Sequence, residues 1–190
     1  NLTWVEDSSN TDPAYDRARV RAALPELGIG ADTLSDVAGH LAQARDARHA
    51  VTMNEARKIA RVEHGDVILD HAGFCELHPD IARRLLLSSM RWINGADYPP
   101  RGKALAGLQA DCVAGRRCVL QGCDISVSKG EIRITRELAA VATLTTNPDE
   151  LWDGRWRLSG PNILNARVCA LGEAGLGQCP DRARADLPAR

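Results

Sequence analysis

The side chains best placed for chemistry lie near the start of the chain, where polar turn-forming residues precede an arginine-bearing helix. Residues 4–12 read Trp-Val-Glu-Asp-Ser-Ser-Asn-Thr-Asp. Short Asp, Asn and Ser side chains hydrogen-bond to nearby backbone N–H groups and so specify a loop. Arg17 and Arg21 follow one helical turn apart, which places both guanidinium groups on one side. The pattern favours an anionic ligand; a capped helix with solvated arginines is the alternative.

A second group that could do chemistry is His71, Cys75 and His78, three residues able to bind a metal ion. Structural zinc normally has four ligands that include a closely spaced Cys or His pair. The six cysteines form no C-x-x-C pair, and nothing in the sequence indicates a secreted protein. We therefore expect no metal and reduced, mostly packed cysteines. A small metal-dependent enzyme would rest on this cluster alone.

The sequence lacks the common catalytic and nucleotide-binding motifs. It contains no G-x-x-x-x-G-K-[ST] phosphate loop, no G-x-G-x-x-G after a strand and no G-x-S-x-G elbow. The net charge of the 190 residues is −1, which excludes a strongly basic, histone-like nucleic-acid binder. Residues 101–145 nevertheless carry seven basic and four acidic side chains, a net charge of +3. A local basic face therefore remains open.

The overall composition is that of an ordinary globular protein. Hydrophobic residues make up 44% and charged residues 26% of the chain, and no apolar run is long enough for a membrane span. The basic residues comprise 21 Arg and only 3 Lys. This bias is typical of a GC-rich genome, and the alternative is selection for guanidinium groups that bind phosphate. The chain has no initiator Met, so we expect a piece of a longer protein.

Two helices are predicted in this region: the first carries the arginines and the second follows it. Asp12 and Pro13 form a paired start signal, so the first helix is expected to begin near residue 12 and to end around Pro25. Apolar residues at alternating spacings of three and four predict a longer helix over 33–62. Its apolar seam includes Leu41.

Shorter elements are predicted downstream of the long helix. Residues 66–70 are typical of a short strand. The next helix opens at Pro79, ends at Gly95 and is expected to place Trp92 on its buried face. A fourth helix is predicted over 103–114.

From residue 118 the apolar period changes from 3.6 to 2, which predicts strands. Lys129 and Gly130 supply a two-residue turn, and this loop length places Val127 opposite Ile132. Residues 152–158 are predicted to form an edge strand. The fold class is therefore α+β, with a mainly helical N-terminal half followed by a small antiparallel β-sheet with a β-hairpin.

The stretch from Trp4 to Leu27 carries a family resemblance. It reads W-[IV]-E-D-x-S-N-x-D-x-x-Y-x-R-x-x-x-R and then L-P-x-L, which resembles tRNA(Ile)-lysidine synthases just after their ATP-pyrophosphatase domain. The matching positions are Trp4, Glu6, Asp7, Ser9, Asn10, Asp12, Tyr15, Arg17, Arg21, Leu24, Pro25 and Leu27. Ser8 and Ala18 depart from the Pro and Asn that are usual there. Downstream the likeness is looser but collinear.

The resemblance implies a function for the part of the family's proteins that lies outside their ATP-pyrophosphatase domain. The family joins lysine to C2 of the wobble cytidine of tRNA(Ile) with ATP, and its S-G-G-x-D-S pyrophosphate loop is absent from this sequence. The resemblance therefore implies the tRNA-recognition portion of a ligase, with no catalytic residue and no cofactor in this fragment. ATP with magnesium and the lysine substrate would belong to the parent protein. The implied partners are tRNA(Ile) and the missing N-terminal PP-loop domain, with no membrane and a cytoplasmic location.

The resemblance also assigns candidate site residues and a division of the chain. Contacts to tRNA or to the catalytic domain are expected from Arg17, Arg21, Asp7 and Asn10. Weaker candidates for phosphate contacts are Arg83, Arg84, Arg116 and Arg117. We expect a linker with the arginine-bearing helix over 1–30, a substrate-recognition domain over 31–146 and the start of a C-terminal domain over 147–190. A non-enzymatic protein-interaction or scaffold module is the alternative function.

Overall fold

The computed structural model describes residues 12–161, 163, 166–172 and 175. These residues form two compact units, one ending at Val51 and the other beginning at Thr52. The first unit is helical, and the second unit combines helices with an antiparallel sheet. The α+β class and the mainly helical first half are thus confirmed. None of the described helices is both long enough and apolar enough to cross a bilayer.

The first unit contains helix α1 (Asp16–Glu26) and the beginning of helix α2 (Ala31–Ile59). Helix α1 begins four residues later than predicted, because the Asp12 carboxylate accepts a hydrogen bond from the Ala14 amide (2.9 Å) and caps a turn before the helix. Among residues 12–51, Ala18 is the one buried apolar side chain. The apolar faces of both helices are therefore largely exposed within this unit.

The predicted helix over 33–62 ends at Ile59, so its last three residues were wrongly assigned. Strand β1 (Ala60–Glu63) pairs with strand β2 (Asp66–Asp70) in antiparallel register. His64 and Gly65 adopt left-handed φ values of 50° and 81°, and this tight turn reverses the chain. Residues 60–63 form a strand because they pair with β2. The helical spacing of apolar residues gives no indication of that pairing.

The second unit is built on one five-stranded sheet. Strands β3 (Cys118–Leu120), β4 (Cys123–Ser128) and β5 (Glu131–Arg136) complete it in the order β1-β2-β5-β4-β3, with every neighbouring pair antiparallel. The predicted hairpin is confirmed, because Val127 faces Ile132 across a turn at Lys129 and Gly130, which have φ values of 52° and 78°.

Three helices accompany the sheet: α3 (His71–Glu76), α4 (Pro79–Asn94) and α5 (Gly102–Val113). Helix α4 contacts β2, β4 and β5, and the His78 Nδ1 atom accepts a hydrogen bond from the Asp80 amide at its start. The last turn of α4 buries Met90 and Ile93, while 59% of Trp92 is exposed. The prediction that Trp92 is buried was therefore wrong.

Among the described residues that follow the sheet, the helices and strands are short. They are helix α6 (Leu138–Val141) and the paired strands β6 (Thr145–Thr146) and β7 (Val168–Cys169). Residues 152–158 do not form the predicted edge strand. Trp152 and Trp156 instead bridge to each other across a tight turn, because Asp153 and Gly154 adopt φ values of 50° and 65°.

Candidate nucleic-acid interface

The two arginines singled out in the sequence lie on α1. Arg17 and Arg21 are exposed and one helical turn apart, so they share one side of the helix. The Arg17 guanidinium lies 5.4 Å from the centre of the Tyr15 ring, within cation–π range. The other two residues assigned to this site, Asp7 and Asn10, lie outside the described residues. The structure therefore presents the arginine pair at the surface.

The candidate arginines on α4 share one carboxylate. Arg83 and Arg84 donate to opposite oxygens of Asp80 at 2.7 and 2.8 Å. These hydrogen bonds lower the pKa of Asp80 to about 2. Asp80 follows Pro79 at the helix start, so its negative charge also faces the positive end of the helix dipole. The pair therefore already has an anionic partner within the protein.

Arg116 and Arg117 are held in the same way. Arg116 donates from Nε and Nη2 to one oxygen of Asp111 at 2.9 and 2.6 Å. Arg117 makes a two-pronged contact with Asp124 at 3.0 and 2.6 Å, and this carboxylate raises the pKa of Arg117. A phosphate contact by any of the four would have to compete with a carboxylate. All four remain predictions.

Cations without such a partner lie at the end of α4 and the start of α5. Arg91, Arg101 and Lys103 are exposed, and none forms an ion pair or a side-chain hydrogen bond with the residues that the structure describes. Sequence reasoning did not single out Arg91. A usable signal existed: Arg83 and Arg84 have Asp80 three and four residues earlier, whereas no acidic residue lies three or four positions from Arg91.

Arg91 lines a cleft beside an exposed tyrosine. The cleft has a volume of about 240 Å³, and Tyr98, 81% of which is exposed, forms part of its wall. Side-chain amides fix the loop that carries Tyr98: Asn94 donates to the Gln121 carbonyl at 3.0 Å, and Gln121 donates to the Tyr98 carbonyl at 2.9 Å. An aromatic ring and an uncommitted guanidinium thus border one recess.

A second recess, which we call the tryptophan groove, is lined by Gly65, Trp92, Arg155 and Trp156 and has a volume of about 350 Å³. The guanidinium of Arg155 lies 5.6 Å from the centre of the Trp156 ring. Its Nη1 donates to the Gly65 carbonyl at 3.2 Å, and its Nη2 lies 3.6 Å from Asp153. Both tryptophans are substantially exposed. Sequence reasoning missed this groove because it treated Trp92 as core.

The wall of the tryptophan groove is anchored to the sheet. Arg136 on β5 donates from two nitrogens to the Asp153 carboxylate at 3.0–3.1 Å, and the Asp153 side chain is only 6% exposed. The Trp156 ring packs directly over Gly65, where a Cβ atom would overlap it. Because Gly65 also has a φ of 81°, this position is suited to glycine on both counts.

The histidine and cysteine cluster has structural contacts. His71 Nε2 lies 2.9 Å from the Cys112 carbonyl and 3.6 Å from the Cys75 sulfur, while His78 caps α4. Burial raises the pKa of Cys112 to about 12, so its thiol is protonated at neutral pH. Within the described part of the chain, no three His, Cys, Asp or Glu residues are arranged to hold a metal ion.

Comparison with known proteins identifies the relatives of this chain. A tRNA(Ile)-lysidine synthase of Ruegeria pomeroyi is 45% identical over 183 residues, which cover 95% of this chain. Proteins of the same name from Methylococcus capsulatus and Hyphomonas neptunium are 32% and 30% identical over 96% and 79% of it. The chain is a homologue of the tRNA(Ile)-lysidine synthases. No protein-family model matches it.

The chain spans less than half the length of the tRNA(Ile)-lysidine synthases that it matches. It covers 44% of the Ruegeria and Hyphomonas proteins and 42% of the Methylococcus protein. The sequence contains neither an S-G-G-x-D-S nor a G-x-x-x-x-G-K-[ST] phosphate motif.

Proposed function

We propose that this chain is the tRNA-recognition portion of a ligase that joins lysine to C2 of the wobble cytidine of tRNA(Ile). The observation that carries the proposal is 45% identity to a tRNA(Ile)-lysidine synthase over 95% of the chain. ATP with magnesium and the lysine substrate are assigned to a PP-loop domain elsewhere in the same polypeptide. In this proposal the chain itself supplies binding and orientation, and it works in the cytoplasm.

The first unit is proposed to contact that PP-loop domain or the tRNA. Arg17 and Arg21 share one side of α1, which suits a single anionic partner, and we assign Asp7 and Asn10 to the same contact. The apolar residues of α2 support a protein neighbour, because Leu34, Val37 and Leu41 are 42–64% exposed at helical spacing. A row of exposed apolar side chains on one helix face is typical of an interaction surface.

The second unit is proposed to contact tRNA through its uncommitted cations. Arg91, Arg101 and Lys103 supply positive charge, and Tyr98 supplies an exposed ring beside Arg91. Folded RNA is recognised through phosphate and 2′-OH contacts spread over its shape, which does not require a high net charge. Arg83, Arg84, Arg116 and Arg117 remain weaker phosphate candidates because each donates to a carboxylate.

The decisive experiment is tRNA binding by the whole chain over a range of salt concentrations. Phosphate contacts release counterions, so the logarithm of the affinity should fall linearly with the logarithm of the salt concentration, by about 0.7–0.9 per contact. Changing both Arg91 and Arg101 to Gln should flatten that slope by about 1.4–1.8 if each binds a phosphate.

The control variant removes a single positive charge that already has a carboxylate partner in the fold. Arg61 donates to Glu131 at 2.8 Å, and this contact raises the pKa of Arg61. Arg61→Gln should leave the salt slope within error of the wild type. Equal slopes for the control and the double variant would remove Arg91 and Arg101 from the interface.

Negligible, salt-independent binding by the wild type would instead favour a protein-interaction module, for which the exposed apolar residues of α2 are the supporting observation.

A further inference from the structure

We propose that the tryptophan groove binds an unpaired RNA base by stacking it against Trp92 and Trp156. The choice of RNA as the partner rests on the proposed tRNA-recognition function. The assignment of this groove rests on its own geometry.

Two large aromatic side chains border one recess. Trp92 is 59% exposed and Trp156 42% exposed, and both line the same groove of about 350 Å³. That volume lies at the lower end of the range for small-ligand sites, which is about 300–1,000 Å³. An exposed aromatic face stacks on any nucleobase, because every base has a π-face.

Well-anchored backbone presents both rings. Trp92 is on α4, whose neighbouring Met90 and Ile93 are buried in the core. Trp156 closes a tight turn with Trp152, through backbone hydrogen bonds of 2.8 and 3.0 Å. The Arg136–Asp153 contact then joins that turn to β5. Stacking surfaces held in this way lose little conformational entropy when a ligand binds.

The polarity of the groove also favours a base as the ligand. Arg155 is the charged side chain among its lining residues, and no carboxylate lines it within the described part of the chain. The guanidinium of Arg155 lies over the Trp156 ring. A groove with a guanidinium in its wall suits a base, which carries ring nitrogen and carbonyl acceptors, better than a hydrocarbon side chain.

The test measures tryptophan fluorescence and affinity with two probes, tRNA(Ile) transcript and a short single-stranded oligoadenylate. Stacking on Trp92 and Trp156 should quench their emission. Trp92→Ala should weaken binding of either probe by about fivefold or more, since stacking of one base contributes roughly 1–3 kcal/mol. Trp92→Phe should retain most of the affinity. The salt slope should stay unchanged in both variants, because neither removes a charge.

Val119→Ala serves as the control, because it shortens an exposed apolar side chain on β3 that does not line the groove. Circular dichroism would show whether each variant keeps its helix content. Salt-dependent tRNA binding that Trp92→Ala leaves unchanged would overturn the stacking site and leave the proposed function standing. Oligoadenylate quenching that depends on Trp92, without tRNA binding, would support the site and overturn the function. Failure of both probes with the wild type would overturn both.

Discussion

Helices α2 and α4 each carry an apolar face, and they differ in what covers it. In the second unit, α4 buries Leu85, Leu86 and Ile93 to 4% exposure or less. In the first unit, α2 shows the same alternation of three and four residues, yet Leu41 is 64% exposed. The comparison teaches that periodicity identifies an apolar face and says nothing about the surface that will cover it.

The second unit supplies that cover from its own sheet. Leu69, Ile132 and Ile134 belong to the same buried cluster as the apolar residues of α4. Removing a leucine side chain from water contributes roughly 1.5–3 kcal/mol, so this cluster holds the helix against β2, β4 and β5. Within residues 12–51, all of which the structure describes, Ala18 is the one buried apolar side chain. No comparable cluster therefore forms among these residues.

The largest expected effect is at the centre of the second unit. Leu86 is fully buried, so Leu86→Ala should lower the free energy of unfolding by about 2–5 kcal/mol through lost burial and the cavity left behind. Urea denaturation followed by circular dichroism would measure the change. Val113→Ala, which shortens a half-exposed side chain on α5, is the control. Equal unfolding midpoints for the two variants would contradict the assignment of this core.

A smaller effect is expected at the start of α4, and it depends on pH. Hydrogen bonds from Arg83 and Arg84 hold the pKa of Asp80 at about 2, below the ordinary value of 3.8. Because the folded state binds this proton more weakly than the unfolded chain, the stabilisation is fully present above about pH 4. It is lost as the pH falls from there through about 2. Exposed pairs of this kind contribute roughly 0.2–1 kcal/mol.

Asp80→Asn should therefore be less stable than the wild type at pH 7 by about 1 kcal/mol or less. The difference should shrink as the pH is lowered from 4 towards 2, measured as the urea midpoint of each protein. Asp97→Asn is the matched control, since Asp97 is exposed and its carboxylate forms no ion pair with the described residues. A stability difference that does not vary with pH would rule out the Asp80 carboxylate as its source.

Local signals were sufficient for much of the second unit. The turn at Lys129 and Gly130 requires left-handed backbone at both positions, and this requirement set the register of the confirmed hairpin. Helix α4 was delimited correctly because proline suits the first helical position and Gly95 ends the helix at a φ of 63°. These elements depend on residues close together in the sequence.

Long-range contacts explain what the sequence did not reveal. Residues 60–63 form a strand because β2 pairs with them, and residues 152–156 form a turn whose Trp156 ring packs over Gly65. The sequence also did not show that Arg117 pairs with a carboxylate, because its partner Asp124 is on strand β4. The helical spacing of apolar residues assigned Trp92 to the core, whereas its side chain is exposed and lines the tryptophan groove.

The smallest effect is expected on α2, and it tests the comparison most directly. If the apolar seam of the first unit has no cover within this chain, Leu41→Lys should change the free energy of unfolding by about 0.5 kcal/mol or less. Gln43→Lys, which adds the same charge at an exposed polar position two residues away, separates the effect of charge from that of hydrophobicity.

In a longer protein that includes the proposed PP-loop domain, only Leu41→Lys should destabilise the assembly, because it would place a charge against an apolar surface. A loss of stability in this chain alone comparable to that of Leu86→Ala would mean that the seam is already covered here. The contrast between the two units would then be wrong.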